Sequence, residues 1–525
     1  MGIQLSSQWR SVCLGLIAVS LSASAAPAWS KSAQNKLPAP VMMTAEQDHQ
    51  NMMDQLGIKA LRPGVQNDVK AKENPVNYDE TKANPWPNYP DPLVFDDGTK
   101  VTSTAQWIEK RRPELIEIFE REIYGRIPAN VPEVTWTVQT VDRELLGFTP
   151  ITATKVIAHV DNSGYPAISV DIPMMIIKPA QAKRPMPALI QFTFTFGGGL
   201  AFPAPAQPSP EEYARINSAL KSAIIAKDPS LKSVFEAHPA WQPVAPPSLL
   251  PPQLDVEGNP PPLNQLVADG WTVVMIEPNT IQPDSGAGLT RGIIGLTNHG
   301  QPRKPEDWGV LRAWGWGASR ALDYLSQDPD IDAQHVGIEG VSRYGKAALV
   351  AMAFDQRFGM ALVASSGQSG TKPHRRNFGE TVENQTATAA YHWMAGNFLK
   401  YGASDATFGA RTANDIPVDA GELIALCAPR LTFISYGSPD GGDPPWVDQH
   451  GAFMATVQAG KVFRLLGAKD LGVGDDYQHA RLPPIGKGLP NGQLAWREHS
   501  GGHTDGPNYK YFIEWVDRMI GRSGS

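Results

Sequence analysis

Cysteine is almost absent from this 525-residue chain, which has only Cys13 and Cys427. Cys13 lies in a leader-like stretch, so Cys427 is left alone and no intramolecular disulfide is expected in the mature chain. Such a protein must be held together by its core. Long apolar runs are also scarce: beyond residues 11–25 nothing approaches the roughly eighteen apolar residues of a membrane span. Positive charge is not in excess. With 46 Lys and Arg against 53 Asp and Glu, the net charge is −7, which removes any global attraction for nucleic acid or anionic membranes. An anionic ligand would have to be met by local cations. There is no HExxH, no cysteine pair, no P-loop and no GxGxxG after a strand, so neither a metal nor a cofactor is expected. No internal repeat is visible.

What remains is an ordinary globular composition, 42% apolar and 19% charged, in a chain long enough to bury a large core. Arg10, the apolar residues 11–25 and the small residues around Ala23-Ser24-Ala25 and Ala26-Pro27-Ala28 resemble a cleavable leader. Residues 1–28 therefore read as a signal peptide directing the protein to the periplasm or the medium. An N-terminal membrane anchor is the alternative. Residues 29–85 are polar and lack sustained periodicity, and are expected as an extended segment leading into or wrapping one domain, residues 86–525.

Within that domain a helix is expected over Thr104–Tyr124, followed by half-buried strands at Val134–Val141, Ile151–Val160 and Ile168–Pro179. The strand-like run Ala188–Phe196 ends in Gly197-Gly198-Gly199, either an oxyanion-hole loop or a plain tight turn. A Pro-rich insertion at about 200–263, helical over Glu211–Phe235, reads as a lid-like decoration near a functional site. Strands at Trp271–Glu277, His335–Glu339, Ala361–Ser365 and Arg430–Tyr436 then alternate with helices at Glu306–Asp328 and Arg343–Phe354. That alternation implies a mostly parallel sheet covered by helices on both faces.

The most specific motif is Gly340-Val341-Ser342-Arg343-Tyr344-Gly345-Lys346, lying between a strand and a helix. A nucleophilic serine must stand proud of its sheet on a strained strand-to-helix turn, flanked by glycine, with its neighbouring amide at a helix N-terminus. The second glycine comes three residues after the serine where G-x-S-x-G puts it after two. A stray Gly-x-Ser is common; the strand–Ser–helix context makes this one a nucleophile elbow and the fold an α/β-hydrolase three-layer sandwich.

The heptad, with Arg directly after the serine and Lys four residues after it, resembles the glucuronoyl esterases. So do Asp91-Pro92, Trp107, Arg111-Arg112-Pro113-Glu114, Tyr124-Gly125-Arg126, Trp314-Gly315-Trp316 and Gly501-Gly502-His503, together spanning most of residues 85–520. The resemblance implies a serine hydrolase that cleaves esters between xylan-borne glucuronic acid and lignin alcohols. The expected partner is a small-molecule or polysaccharide ester bound by a monomer.

The fold orders its triad Ser, acid, His. Of His499 and His503, the family's Gly-Gly-His context selects His503 as base. The family places its acid either just after the strand that follows the elbow or after the strand preceding the histidine. The first position, Ala364-Ser365-Ser366-Gly367, holds no carboxylate. The later loop holds Asp440, Asp443 and Asp448. Asp443, three residues before Trp446, is favoured narrowly over Asp440, which has the strand–Gly–two–Asp spacing; Asp448 suits a helix cap. Arg343 is a candidate oxyanion donor. The resemblance gives Lys346 to sugar hydroxyls and Trp446 to substrate stacking, the alternative for Trp446 being a loop anchor. Glu380, Glu383 and Gln385 are candidates for reaching the sugar. Two readings compete with glucuronoyl ester hydrolysis: deacetylation of xylan on the same scaffold, and carbohydrate binding without catalysis.

Overall fold

The computed structural model describes residues 37–129, 131–146, 149–193, 210–239 and 254–522. Contacts divide the chain into a terminal piece, residues 1–38, and a body, residues 39–525, which carries the fold. The expected leader 1–28 and Gly197–Gly199 lie outside the described residues.

Eleven strands are formed among the described residues: β1 (Ile58–Leu61), β2 (Val134–Leu146), β3 (Thr149–Val160), β4 (Asp171–Pro179), β5 (Met186–Phe192), β6 (Thr272–Ile276), β7 (Ile331–Val341), β8 (Met360–Ala364), β9 (Ala403–Ala406), β10 (Leu431–Gly437) and β11 (Leu494–His499). Nine of them form one sheet in the order β11-β10-β8-β7-β5-β6-β4-β3-β2. Strands β11 to β6 run parallel, and β4, β3 and β2 are antiparallel to their neighbours. Strands β5, β8, β10 and β11 are buried throughout, as expected of parallel strands covered on both faces. Helices Val310–Leu325, Arg343–Phe354 and Gln449–Leu465 pack into one core cluster. Helices Pro262–Ala268 and Tyr509–Ile520 pack into a second. The result is the α/β-hydrolase sandwich.

Local chemistry explains several elements. Trp314 is wholly buried and donates its indole N–H to the Gln282 carbonyl at 2.9 Å. The next residue, Gly315, lets helix Val310–Leu325 lie against Ala351: a Cβ there would already be 3.4 Å from the Ala351 Cα. Cys427 is buried, and burial pushes its thiol up to about 11, leaving it an inert core residue.

One sequence expectation is corrected. Residues 29–85 are not merely extended. Thr44 and Gln47 form a capping box for helix Ala45–Leu56, which buries Met52 and Met53, and β1 then pairs with β9. In the insertion, residues 210–239 pack Ile224, Leu231 and Phe235 onto Leu145 of β2, and Glu257 accepts from Arg497 of β11 at 2.9 Å. The first contact lies at the antiparallel end of the sheet and the second beside the strand that precedes His503, while residues 200–209 and 240–253 of the insertion lie outside the described residues. No described helix is long and apolar enough to cross a membrane.

Candidate active site

Ser342 directly follows β7 and caps helix Arg343–Phe354 with φ 60° and ψ −126°. A positive φ at serine is costly and is held here by its surroundings: the Ser342 amide donates to the Ala364 carbonyl at 2.9 Å. The flanking glycines are required by space. A Cβ at Gly340 would lie 2.3 Å from the Tyr344 carbonyl oxygen, and one at Gly345 would lie 2.5 Å from that of Ala364. The shifted glycine thus serves the same tight strand-to-helix turn.

The next two elements arrive at the same end of the sheet. Gly437 ends β10, and six residues later Asp443 is fully buried. Its Oδ1 accepts from His503 Nδ1 at 2.6 Å, while Oδ2 accepts from Ser365 Oγ at 2.6 Å and from the Gly437 amide at 2.8 Å. Three donors hold the carboxylate in place. His503 follows β11 by four residues and is partly open to solvent. With Nδ1 donating to the Asp443 carboxyl, Nε2 is left as the nitrogen free to accept a proton. A short path joins these groups to the elbow: Ser342 is bonded to Ala364, and the next residue, Ser365, is bonded to Asp443. Ser365 occupies the empty early-acid position, with φ 41°, and its hydroxyl serves the late acid.

Asp440 is corrected as a candidate acid. It lies exposed on the turn, and the carboxylate against His503 is that of Asp443. Asp448 caps helix Gln449–Leu465 by accepting from the Gly451 amide, and also accepts from Arg376 Nε at 2.7 Å. His499 is buried. It accepts from the Gly501 amide at Nδ1 and donates from Nε2 to the Thr504 carbonyl, bracing the loop that carries His503. Beside it on β11, Glu498 is pushed up to about 7 by burial and by the charge of Asp443.

Arg343 lies beside Ser342, and its Nη1 donates to Asp284 Oδ2 at 2.6 Å. Its guanidinium carbon is 5.4 Å from the Trp393 ring centroid. Lys346 is buried one turn further on, with Nζ donating to the Ser366 carbonyl at 2.6 Å and 5.5 Å from the same ring. Burial lowers its pKa, which the charge of Glu380 opposes. Trp446 is half-buried, and its carbonyl accepts from the Glu380 amide at 3.2 Å. Gly379, with φ 65°, passes so close that a Cβ would meet the Trp446 Cα at 2.3 Å. Glu380 is thus tied by its backbone to the Trp446 turn, and its charge acts on Lys346.

Glu383 and Gln385 are corrected as sugar contacts. Glu383 Oε1 accepts from Arg62 Nε at 2.9 Å, tying the segment to the N-terminal region, and Gln385 is buried in the interior. Sequence reasoning missed Asp284, His392 and Trp393. They meet Arg343 only through folding, since Asp284 and His392 are 108 positions apart. Among the described residues no group of His, Cys, Asp and Glu could hold a metal ion.

A model of the fungal glucuronyl esterases matches residues 303–467. A carbohydrate esterase from an unknown prokaryotic organism is 32% identical over 456 residues, spanning 86% of this chain and 94% of that one. The 4-O-methyl-glucuronoyl methylesterase of Podospora anserina is 30% identical over 171 residues, 31% of this chain and 33% of that one. Among solved structures, a family 15 glucuronoyl esterase from Teredinibacter turnerae superposes with a TM-score of 0.73 at 34% identity, covering 91% of this chain and 100% of that one. One from Solibacter usitatus gives a TM-score of 0.63 at 27% identity, covering 84% and 99%.

Proposed function

Since this chain belongs to the glucuronoyl esterase family of carboxylic ester hydrolases, we propose that it cleaves 4-O-methyl-glucuronoyl esters with Ser342, His503 and Asp443 as its triad. The observation that carries the assignment is the 2.6 Å bond from His503 Nδ1 to Asp443 Oδ1, one bonded segment away from the elbow. His503 Nε2 takes the Ser342 proton as Oγ adds to the ester carbonyl. The oxyanion forms beside the Arg343 amide, at the N-terminus of its helix, and beside the Arg343 guanidinium. Collapse expels the alcohol, which takes the proton from His503. Water, activated by the same nitrogen, then releases the uronate. Asp443 keeps the imidazole in its productive tautomer and balances the imidazolium.

Two cations next to the nucleophile, Arg343 and Lys346, favour an oxygen-rich uronate over a bare acetyl group. The alcohol half is proposed to be a lignin alcohol. Export is proposed from the leader-like residues 10–28. Parallel rates on a benzyl glucuronate and on acetylated xylan test the substrate. Faster turnover of the uronate ester is expected; faster deacetylation would transfer the assignment to an acetyl esterase.

A further inference from the structure

Arg343 has the longest side chain next to the nucleophile, and two-fifths of it, 43%, is exposed. An arginine in that position would ordinarily sample many rotamers in water, and a donor that wanders stabilises no oxyanion. Asp284 removes that freedom. It sits in the loop after helix Pro278–Ile281, where its amide donates to Asn279 Oδ1 at 3.0 Å. One carboxylate oxygen, Oδ2, accepts from Arg343 Nη1 at 2.6 Å. The other, Oδ1, accepts from His392 Nε2 at 2.9 Å and from Trp393 Nε1 at 2.6 Å. With both oxygens engaged the carboxylate cannot turn away, and the guanidinium is held over the Trp393 ring.

The donors are themselves anchored. Tyr391, next to His392, donates its hydroxyl to Asp48 Oδ2 at 2.8 Å, and its ring lies 4.5 Å from that of His49, both on helix Ala45–Leu56. The N-terminal helix thus supports the turn that fixes Asp284. The clamp also keeps its charge. Burial would raise the Asp284 pKa, but hydrogen bonds from His392, Trp393 and Arg343, with the guanidinium charge, hold it down to about 2. Burial keeps His392 a neutral donor.

We propose that Asp284 is a positioning residue for the esterase reaction, holding the Arg343 guanidinium beside Ser342 in a clamp completed by His392 and Trp393. The proposal rests on the reading of Arg343 as an oxyanion donor. Its test is a double-mutant cycle of Asp284→Asn and Arg343→Ala. Asp284→Asn alone should lower kcat about 10- to 100-fold with KM changed less than about threefold, because the interaction is realised in the transition state. Added to Arg343→Ala, it should cost less than about threefold more. Additive losses, or an Arg343→Ala variant with wild-type kcat, would overturn the clamp. If Asp284→Asn fails to fold, Trp393→Phe takes its place in the cycle. It keeps the ring under the guanidinium, removes one donor to Asp284, and must show the same lack of additivity. The cycle is run on whichever ester the wild type cleaves, so a wrong substrate assignment leaves it decisive.

Discussion

The six parallel strands and the three antiparallel ones share one continuous sheet, yet only the parallel half gathers chemistry. Strands β7, β10 and β11 run the same way, so the loops that follow them emerge at one edge. Those loops deliver Ser342, Asp443 and His503, residues 342, 443 and 503 of the chain. Successive antiparallel strands β2, β3 and β4 return the chain to alternate edges, and the long strand β2 is largely exposed. A parallel array collects distant segments at the carboxyl ends of its strands, whereas an antiparallel one pairs only neighbours. Here the antiparallel half supports residues 210–239 of the insertion through Leu145.

Removing a group from the collecting edge should therefore cost activity with little stability, and the nucleophile should cost the most. Ser342→Ala is expected to lower kcat on a glucuronate ester by about 10⁴-fold or more with an unchanged melting temperature. Near-wild-type turnover of a folded variant would remove Ser342 from the reaction. Next comes the acid. Asp443→Asn should lose about 10³-fold or more, because asparagine cannot balance the imidazolium and favours the wrong tautomer. Asp440→Asn, on the same loop but exposed, should stay within about twofold, as surface substitutions usually do. If the two exchange rank in a steady-state assay, the geometry around His503 does not describe the working enzyme.

The contrast between halves extends to glycine. Gly345→Ala forces a Cβ to 2.5 Å from the Ala364 carbonyl, between the elbow and β8. We expect about 1–3 kcal/mol of destabilisation, with loss of activity as the elbow shifts. Gly164 lies in the connection between β3 and β4, and a Cβ there meets nothing within 4 Å. Gly164→Ala should remain within about 0.5 kcal/mol by denaturant melting. Equal costs at the two positions would mean that the elbow relaxes more easily than its packing indicates.

The elbow was legible because all its requirements are local: an apolar strand, a serine, close glycines and a helix that runs from Arg343 to Phe354 as expected. Strand β11 was not. Its residues Arg497 and Glu498 read as polar, but Arg497 is buried by ion-pairing with Glu257, 240 positions away. The ribbon of β1 and β9 was hidden for the same reason, since Ala403–Ala406 has no strand-like pattern of its own and pairs with Ile58–Leu61. Asp443 and Asp440 differ by three positions in one loop, so spacing alone separated them only narrowly. What separates them in the structure is that Gly437, Ser365 and His503 converge on one carboxylate. Asp284 had no local signal, because its role depends on residues near 343 and 392 that only folding brings to it.

The smallest effect concerns how the collecting edge is tied together. Glu339 lies on β7 three residues before Ser342, and Asp505 lies two residues after His503; both are buried. The Asp505 carboxyl lies close enough to that of Glu339 to raise its pKa, and beside them Gln191 Nε2 donates to the Tyr509 hydroxyl at 2.6 Å. Burial first, then the charge and hydrogen bond of Asp505, push Glu339 well above the usual carboxylate range, and burial raises Asp505 as well. Two buried carboxyls in contact share a proton, since both cannot ionise together. In the unfolded chain each titrates near pH 4. Above that pH the folded protein therefore binds more protons than the unfolded one, and stability falls as pH rises towards the folded-state pKa of Glu339. Glu339→Gln replaces the shared proton with an amide N–H that can donate to Asp505 at every pH. From about pH 5 to 8 the wild-type melting temperature should fall relative to this variant by roughly 1 °C per pH unit, the size expected for one proton in a domain this large. Parallel melting curves, with no divergence across that range, would show that Glu339 and Asp505 do not share a proton between the nucleophile strand and the histidine loop.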